Sequence, residues 1–228
     1  EQKKYNFTST IFRKVLAALS GLFLVVFLFG HLVGNLQLFI PGVNGQTQFN
    51  QYAQFMTMNP LVKILSVLTY SSIILHISIT IFLAIKSNNT RSVQYEVSSG
   101  NINSTWSSRN MTLLGVILMF FIIVHMKSFW YEMHFGEIPY QNLHDGEKIK
   151  DLHTIVIAAF KNPYYTFFYV FSMVALAMHL HHGVESAFHT TGVRVRQYEK
   201  PLKYLTNGVA IIVPAIFASI PIYIFITR

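Results

Sequence analysis

Five long apolar stretches constrain the fold of this chain more than any other feature. They lie at 14–40, 61–86, 110–131, 163–189 and 204–227. Each is close to the roughly 20 residues of helix that cross a hydrocarbon core. Apolar residues make up 52% of the 228 residues and charged residues only 11%, a composition typical of membrane proteins. Because lipid admits only helices or closed barrels, and barrels need short alternating segments, the pattern predicts an all-α bundle of five transmembrane helices in one domain, 1–228.

Positive charge is distributed unevenly between the two ends of these spans. Most lysines and arginines lie in the N-terminal arm, the 87–109 loop and the 190–203 loop, which share one side. On the other side, the 41–60 loop has no charge, and acidic residues outnumber basic ones in 132–162. Cytoplasmic loops are the positive ones, so we expect a cytoplasmic N-terminus and an outer C-terminus. The net charge of +8 is then a topology signal and not a nucleic-acid site.

Four of the spans carry a histidine where apolar residues are expected. They are His31, His76, His125 and His179. His76 and His179 each lie 16 residues after a proline at the outer edge of their span, Pro60 and Pro163. At the helical rise this is about 24 Å from that edge, so these two histidines form an inner pair.

The other two histidines lie closer to the outer edge. His31 is 10 residues before Pro41, and His125 is 7 residues before Glu132. Both are then roughly 10–15 Å from the outer edge, so they form an outer pair. Each pair combines imidazoles from two different helices.

Ionisable side chains inside a membrane are costly and usually functional. A single histidine could instead form an interhelical hydrogen bond, but four that match in depth favour a pair of cofactors. Two imidazoles on opposite sides of a haem leave no open position, which suits electron transfer. The histidines therefore predict two bis-histidine b haems, whereas zinc would need more ligands than the spans provide.

The fourth span offers several histidines within HLHH at 179–182. His179 lies on a stripe of small residues, and we expect it to be the ligand, with Gly183 and Ser186 facing the haem. Around the helix axis, His181 is rotated by about 200° and His182 by about 60° from the direction of His179. Those two and His189 could contribute hydrogen bonds, propionate contacts or a subunit interface.

Small residues in membrane helices are also typical of close helix packing. The stripe of the fourth span consists of Ser172, Ala175, Gly183 and Ser186. In the first span, Gly21 and Gly34 lie on either side of His31. For these two glycines, the sequence is equally compatible with close helix packing and with a position that faces a haem.

Four segments resemble the di-haem cytochrome b membrane subunit of succinate:quinone oxidoreductases and quinol:fumarate reductases. They are GLFLVVFLFGHLVGNLQLF, ILHISITIFLAIK, VHMKSFW and HLHHGVESAF. The likeness covers nearly the whole chain, and its most specific parts are 21–31 and the H-x3-G-x2-S pattern at 179–186. It implies that His76 and His179 bind the haem near the iron–sulfur subunit and that His31 and His125 bind the distal haem. Ala177 departs from members that have a glutamate two residues before the fourth-span ligand, so a proton route through that carboxylate is in doubt.

The resemblance also implies a function and partners. The chain would be the membrane anchor of succinate dehydrogenase or fumarate reductase in a bacterial inner membrane, passing electrons between an iron–sulfur subunit and a quinone of the respiratory chain. An iron–sulfur subunit and a flavoprotein would bind on the cytoplasmic side, and menaquinone would be the quinone. The sequence has no cysteine, hence no iron–sulfur cluster of its own, and we expect no dicarboxylate or flavin site in this chain.

Quinone chemistry at the outer edge would need polar or titratable groups there. The candidates are Asn35, Gln37, Glu132, His134, Glu137 and His144, each of which could equally be a solvated loop residue. Apolar residues on one face of 147–161 predict a short helix at the membrane surface, which would cover the outer haem.

Two other classes of function remain open. One is a di-haem cytochrome b anchor of a hydrogenase or formate dehydrogenase. The other is a membrane di-iron desaturase, in which HLHH would be part of a histidine box. The desaturase is disfavoured because three of the four histidines stand alone inside their spans.

Overall fold

The computed structural model describes residues 9–89, 106–143, 146–193 and 196–228. Its helices are α1 (Thr10–Asn35), α2 (Gly42–Met58), α3 (Pro60–Asn89), α4 (Trp106–Arg109), α5 (Met111–His125), α6 (Glu132–Phe135), α7 (Leu152–Phe160), α8 (Pro163–Thr190) and α9 (Glu199–Thr227). A 3-10 turn at Leu36–Phe39 continues α1, and a π-helical segment at Met126–Tyr131 joins α5 to α6. A second 3-10 turn, Arg196–Tyr198, precedes α9.

Five helical segments are long and apolar enough to cross a membrane, which confirms the predicted number of spans. They are Thr10–Phe39, Pro60–Ser87, Met111–Phe135, Pro163–Thr190 and Glu199–Thr227. The third segment continues beyond its predicted end at 131, because a charged Glu132 does not break a helix. Gly136 ends it by adopting extended backbone.

Matching caps begin the two helices that carry the inner histidines. The Asn59 side chain accepts hydrogen bonds from two backbone N–H groups in the first turn of α3. Asn162 does the same for α8, and in each case a proline follows the cap. Asparagine caps with proline at the first helical position are favourable helix starts. Since both helices start in the same way, equal sequence offsets give equal heights along the two helices.

The end of the bundle at which α3 and α8 begin, called the outer end below after the predicted orientation, is covered by α2, a β-hairpin and α7. Strands β1 (Tyr140–Asn142) and β2 (Lys148–Lys150) pair antiparallel. The surface helix predicted over 147–161 is therefore wrong in its first part and begins only at Leu152. Asp151 fixes that start because its side chain accepts a hydrogen bond from the Thr154 backbone N–H. The 41–60 loop contains α2, which the sequence analysis did not anticipate.

A buried hydrogen-bond network holds this outer layer together. Asn50 of α2 is completely buried. Its amide nitrogen donates to Gln141 Oε1 at 2.9 Å and to Asp151 Oδ1 at 2.8 Å. Its oxygen accepts from the backbone N–H of His153 at 2.9 Å. One side chain thus joins the hairpin and α7 to α2.

Beneath the outer layer lies an aromatic-rich core. Its buried members are Leu38, Phe49, Phe129, Val156, Phe160, Tyr169, Ile220 and Ile224. The long helices pack as α1 against α3 and α8, and as α8 against α5 and α9. Many large apolar side chains on their outward faces, above all on α3, are exposed, as expected of helices whose solvent is lipid.

Candidate functional site

The structure brings the four span histidines together as two pairs. The rings of His31 and His125 lie 5.6 Å apart between centroids, with an interplanar angle of 86°. Those of His76 and His179 lie 6.3 Å apart at 71°. Two imidazoles on opposite sides of one metal ion have centroids roughly 6 Å apart, because each metal–nitrogen bond is about 2 Å. Both separations fit such an ion.

The contacts of His76 fix which of its ring nitrogens carries the proton. Nδ1 lies 3.1 Å from the backbone oxygen of Ala17 and 3.3 Å from Ser20 Oγ. A carbonyl oxygen only accepts hydrogen bonds, so Nδ1 carries the hydrogen and donates to Ala17. The lone pair is then on Nε2. An N–H···O=C bond of this kind is the usual support of a metal-binding histidine.

Gly21 allows α1 to approach the His76 ring. A Cβ atom at residue 21 would lie 3.1 Å from His76 Cε1, closer than ordinary van der Waals contact. The Thr80 hydroxyl, one turn beyond His76, donates to the backbone oxygen of His76 at 2.7 Å. The imidazole is therefore positioned mainly by α1.

His179 has a buried ring nitrogen that makes no hydrogen bond to the described part of the chain. This atom is Nδ1, and buried polar atoms normally have a hydrogen-bond partner. Of its neighbours, His181 is exposed and His182 is half-buried. Among the histidines of HLHH, His179 is the one whose ring meets His76.

The small residues of α8 lie largely against α5. Ala175 packs with Leu114 and Leu118, and a Cβ atom on Gly183 would lie 3.4 Å from Met111 Cε. Ser186 is exposed. This arrangement matches close helix packing, and contact of Gly183 and Ser186 with a haem stays a prediction.

Gly34 accommodates a side chain of the outer layer. A Cβ atom at this position would overlap the Tyr52 ring of α2. The role of Gly34 thus differs from that of Gly21, which faces a histidine of the inner pair.

The outer pair lies in an aromatic environment. His31 stacks on Phe27 with centroids 5.4 Å apart, and His125 stacks on Phe121 at 5.6 Å. Phe217 of α9 lies 5.7 Å from the His31 ring. In each stacked pair the phenylalanine precedes the histidine by four residues, the spacing at which side chains on one helix face meet.

Two tyrosines of α8 continue the outer pair toward the outer edge. His125 Nδ1 lies 3.2 Å from the Tyr169 hydroxyl, which lies 2.9 Å from that of Tyr165. Neither tyrosine is among the residues predicted from the sequence. A signal was present, since Tyr169 lies six residues after Pro163 and therefore at nearly the same distance from the outer edge as His125.

Among the described quinone-site candidates, Asn35 contacts a histidine of the outer pair. Its amide nitrogen donates to the backbone oxygen of His31 at 2.8 Å and lies 3.5 Å from His31 Nε2. Gln37 is half-buried in the 3-10 turn after α1.

The remaining quinone-site candidates make contacts within their own segment. Glu132 pairs with Lys127 at 3.3 Å. His134 stacks on Trp130, with centroids 4.5 Å apart, and its Nδ1 lies 2.8 Å from the Trp130 backbone oxygen. Glu137 is exposed. His144 lies outside the described residues.

The metal-binding side chains available in the two histidine pairs fit haem better than a metal ion bound by protein side chains alone. Within the described ranges, no group of three or more His, Cys, Asp or Glu side chains is placed to bind a metal ion. Zinc sites have at least three protein ligands. A haem brings four ligands of its own and takes one or two from the protein, so two histidines per site are sufficient.

Family models, curated proteins and solved structures contain no significant match to this chain.

Proposed function

We propose that this chain is the membrane anchor and electron-transfer subunit of a succinate:quinone oxidoreductase or quinol:fumarate reductase, and that it binds two b haems. The observation that carries the proposal is the pair of imidazole contacts, His31 with His125 and His76 with His179, at two heights in one bundle. The resemblance of the surrounding segments names the class of complex. A haem between two imidazoles supplies one-electron transfer.

At the inner site, His76 and His179 would hold the haem. The Ala17 carbonyl keeps the proton of His76 on Nδ1 and so presents Nε2 for coordination. Ser20 approaches the same nitrogen while donating to Leu16, which restricts rotation of the ring.

At the outer site, His31 and His125 would hold the haem. Tyr169 faces His125 Nδ1 and thereby leaves Nε2 of that ring for iron. Phe160 of α7 packs against the Tyr169 ring, with centroids 4.9 Å apart. Phe27 and Phe121 exclude water from the flanks of both rings.

The partners follow from the same proposal. The iron–sulfur subunit and the flavoprotein bind on the cytoplasmic side, near the inner pair. Menaquinone reacts nearer the outer pair, within reach of the lipid. The chain is then an electron path across a bacterial inner membrane between a protein donor or acceptor and a lipid-soluble one.

A redox difference spectrum tests the proposal. The chain purified from membranes should show a b-type signal equivalent to two haems, and absence of that signal would refute the function. His76→Ala and His125→Ala should each remove one haem. His181→Ala, which changes an exposed histidine of HLHH, should retain both.

The subunits that copurify with the chain distinguish the proposed function from the two alternative functions. A flavin-containing subunit and an iron–sulfur subunit should copurify with the chain, and a hydrogenase or formate dehydrogenase subunit in their place would indicate the alternative anchor. A di-iron desaturase would need clustered histidine or carboxylate ligands, and in the described parts of the chain no such group of three or more occurs.

A further inference from the structure

The helix that carries His125 changes its geometry directly after that residue. Regular α-helix covers Met111–His125, and the π-helical segment Met126–Tyr131 follows. Hydrogen bonds of a π-helix span five residues instead of four, and such segments are rare and frequent at functional sites. The residues 126–131 include neither proline nor glycine, which are the usual local causes of an irregular helix. We therefore attribute the change to contacts that the side chains of this segment make.

An ion pair on the outward face is a consequence of the π-helical geometry. Lys127 Nζ lies 3.3 Å from Glu132 Oε1, although the two residues are five apart. In an α-helix, residues five apart are rotated by roughly 140° around the axis, whereas hydrogen bonds that close over five residues bring them toward one face. The two side chains are 68% and 31% exposed, and an exposed ion pair stabilises little. Another contact must hold the segment.

That contact is a hydrogen bond between Trp130 and α3. Trp130 Nε1 donates to the Tyr70 hydroxyl at 2.7 Å, and the two rings lie 5.8 Å apart between centroids, at 78°. Both side chains are half-buried. The π-helical segment is thus attached to the bundle on both sides, by His125 before it and by Trp130 near its end.

A regular α-helix would not make both attachments. The His125 ring meets His31 of α1 and Tyr169 of α8. Because α1 packs against α3, the direction from α5 to His31 and the direction to Tyr70 lie on the same side of α5. Trp130 follows His125 by five residues, so in a continuous α-helix it would be rotated by roughly 140° from His125. If the segment became α-helical, one of the two side chains would turn away from its partner.

We propose that Trp130 and Tyr70 are positioning residues for His125. Their hydrogen bond holds the π-helical segment, and that segment fixes the rotation of the His125 ring, whose plane lies at 86° to that of His31. This inference rests on the proposed function and deepens it. Tyr70 precedes His76 by six residues on α3, so the helix that carries a ligand of the inner haem would set the geometry of a ligand of the outer haem.

Low-temperature EPR of the oxidised intact complex in its membrane measures this rotation. The low-field g value of a ferric haem with two imidazole ligands is largest when the ring planes are perpendicular. Trp130→Phe and Tyr70→Phe each remove one partner of the hydrogen bond, and each should move the outer-haem signal to lower g while the inner-haem signal stays in place. The double variant should move it no further than either single variant, because residues that act through one bond are not additive.

Two matched variants serve as controls. Trp106→Phe makes the same change at an exposed tryptophan of α4, and Tyr140→Phe removes a hydroxyl from an exposed tyrosine of β1. Both should leave the two signals in place. An outer-haem signal that does not move in Tyr70→Phe would overturn the proposal. Equal movement of both haem signals would also overturn it, since that result indicates a general loosening of the bundle.

Haem content measured on the same samples separates this proposal from the proposed function. Two haems in the wild-type chain together with an unmoved outer signal in the variants would overturn only the positioning role. Absence of haem in the wild-type chain would overturn the proposed function itself. If Trp130→Phe fails to assemble, Tyr70→Phe decides, because it removes one hydroxyl and keeps both rings. Loss of the outer haem alone in Tyr70→Phe would support the positioning role, and loss of both haems would contradict it.

Discussion

His76 Nδ1 donates a hydrogen bond to the backbone oxygen of Ala17 over 3.1 Å. This bond joins α3 to α1 and makes the orientation of the His76 ring depend on how closely the two helices approach. Because the acceptor is a backbone carbonyl, a side-chain substitution at residue 17 does not remove it. A mutation can, however, change how closely α1 and α3 approach each other.

If His76 and His179 hold a haem as proposed, Gly21→Leu should lower the content of that haem. A Cβ atom at residue 21 would already lie 3.1 Å from His76 Cε1, and a longer side chain would displace the ring or the helix. The measurement is haem per protein from a redox difference spectrum. Gly30→Leu is the matched control, since a Cβ atom there meets nothing within 4 Å. Two haems in Gly21→Leu would show that the close approach of α1 is not required.

If His31 and His125 hold a haem as proposed, Tyr169→Phe should raise the midpoint potential of that haem. Removing the hydroxyl takes away the hydrogen-bond partner of His125 Nδ1, which makes the imidazole a weaker electron donor to iron. A neutral hydrogen bond is worth about 1 kcal/mol, so the expected shift in a redox titration is roughly 20–60 mV. Tyr223→Phe, which removes a hydroxyl bonded to the Phe39 backbone oxygen instead, should cause no shift. Equal potentials in Tyr169→Phe and wild type would contradict the orienting role of Tyr169.

Asn50→Leu should destabilise the outer layer. The change removes hydrogen bonds to Gln141, Asp151 and the His153 backbone and leaves buried polar atoms without partners. We expect a loss of about 2–4 kcal/mol in unfolding free energy, seen as a lower midpoint of thermal unfolding in detergent. Gln48→Leu, on an exposed face of α2, is the control. A midpoint that falls no further in Asn50→Leu than in the control would show that the network contributes little.

His153 should make the stability of the outer layer depend on pH. Burial lowers the pKa of His153 below its ordinary value of 6.5; the nearby Asp151 carboxylate opposes this shift, and Arg228 adds to it. Because the unfolded chain binds the proton more readily, the contribution is present above pH 6.5 and is lost as the pH falls below that value.

Thermal unfolding of the detergent-solubilised protein between pH 8 and 5 measures this effect. His153→Gln, which cannot take up a proton, should flatten the part of the pH profile below 6.5. Gln48→Leu, on an exposed face of α2, should leave the shape of the profile unchanged. A profile that is the same in wild type and His153→Gln would refute the prediction.

The outer layer was the part of the fold least accessible to sequence reasoning. Its helix α2 has no charged residue and only a weak apolar pattern, so 41–60 was interpreted simply as a loop. The strand at Lys148–Lys150 was taken for the start of a helix because Ile149 fits an apolar helical face. Ile149 is 2% exposed, but it is buried by the strand pairing and by packing against α2. Such long-range contacts are not encoded in a local pattern.

Sequence reasoning about the quinone-site residues shows the same limit. Polarity near the outer edge selected Glu132 and His134, whose contacts lie within their own segment. Tyrosine is common at membrane interfaces, so the sequence does not distinguish Tyr165 and Tyr169 from other interfacial residues. What distinguishes these two tyrosines is their hydrogen-bonded contact with His125, which belongs to another helix.

The number of spans and the heights of the four histidines follow from the sequence alone. Helical rise per residue is constant, and the Asn–Pro caps of α3 and α8 start both helices alike, so a count of residues gives position along each helix axis. Which rings meet, and how Ala17 and Tyr169 orient them, becomes visible only in the folded bundle. Rotation about a helix axis and the choice of neighbour depend on packing between helices, and that packing is a property of the whole bundle.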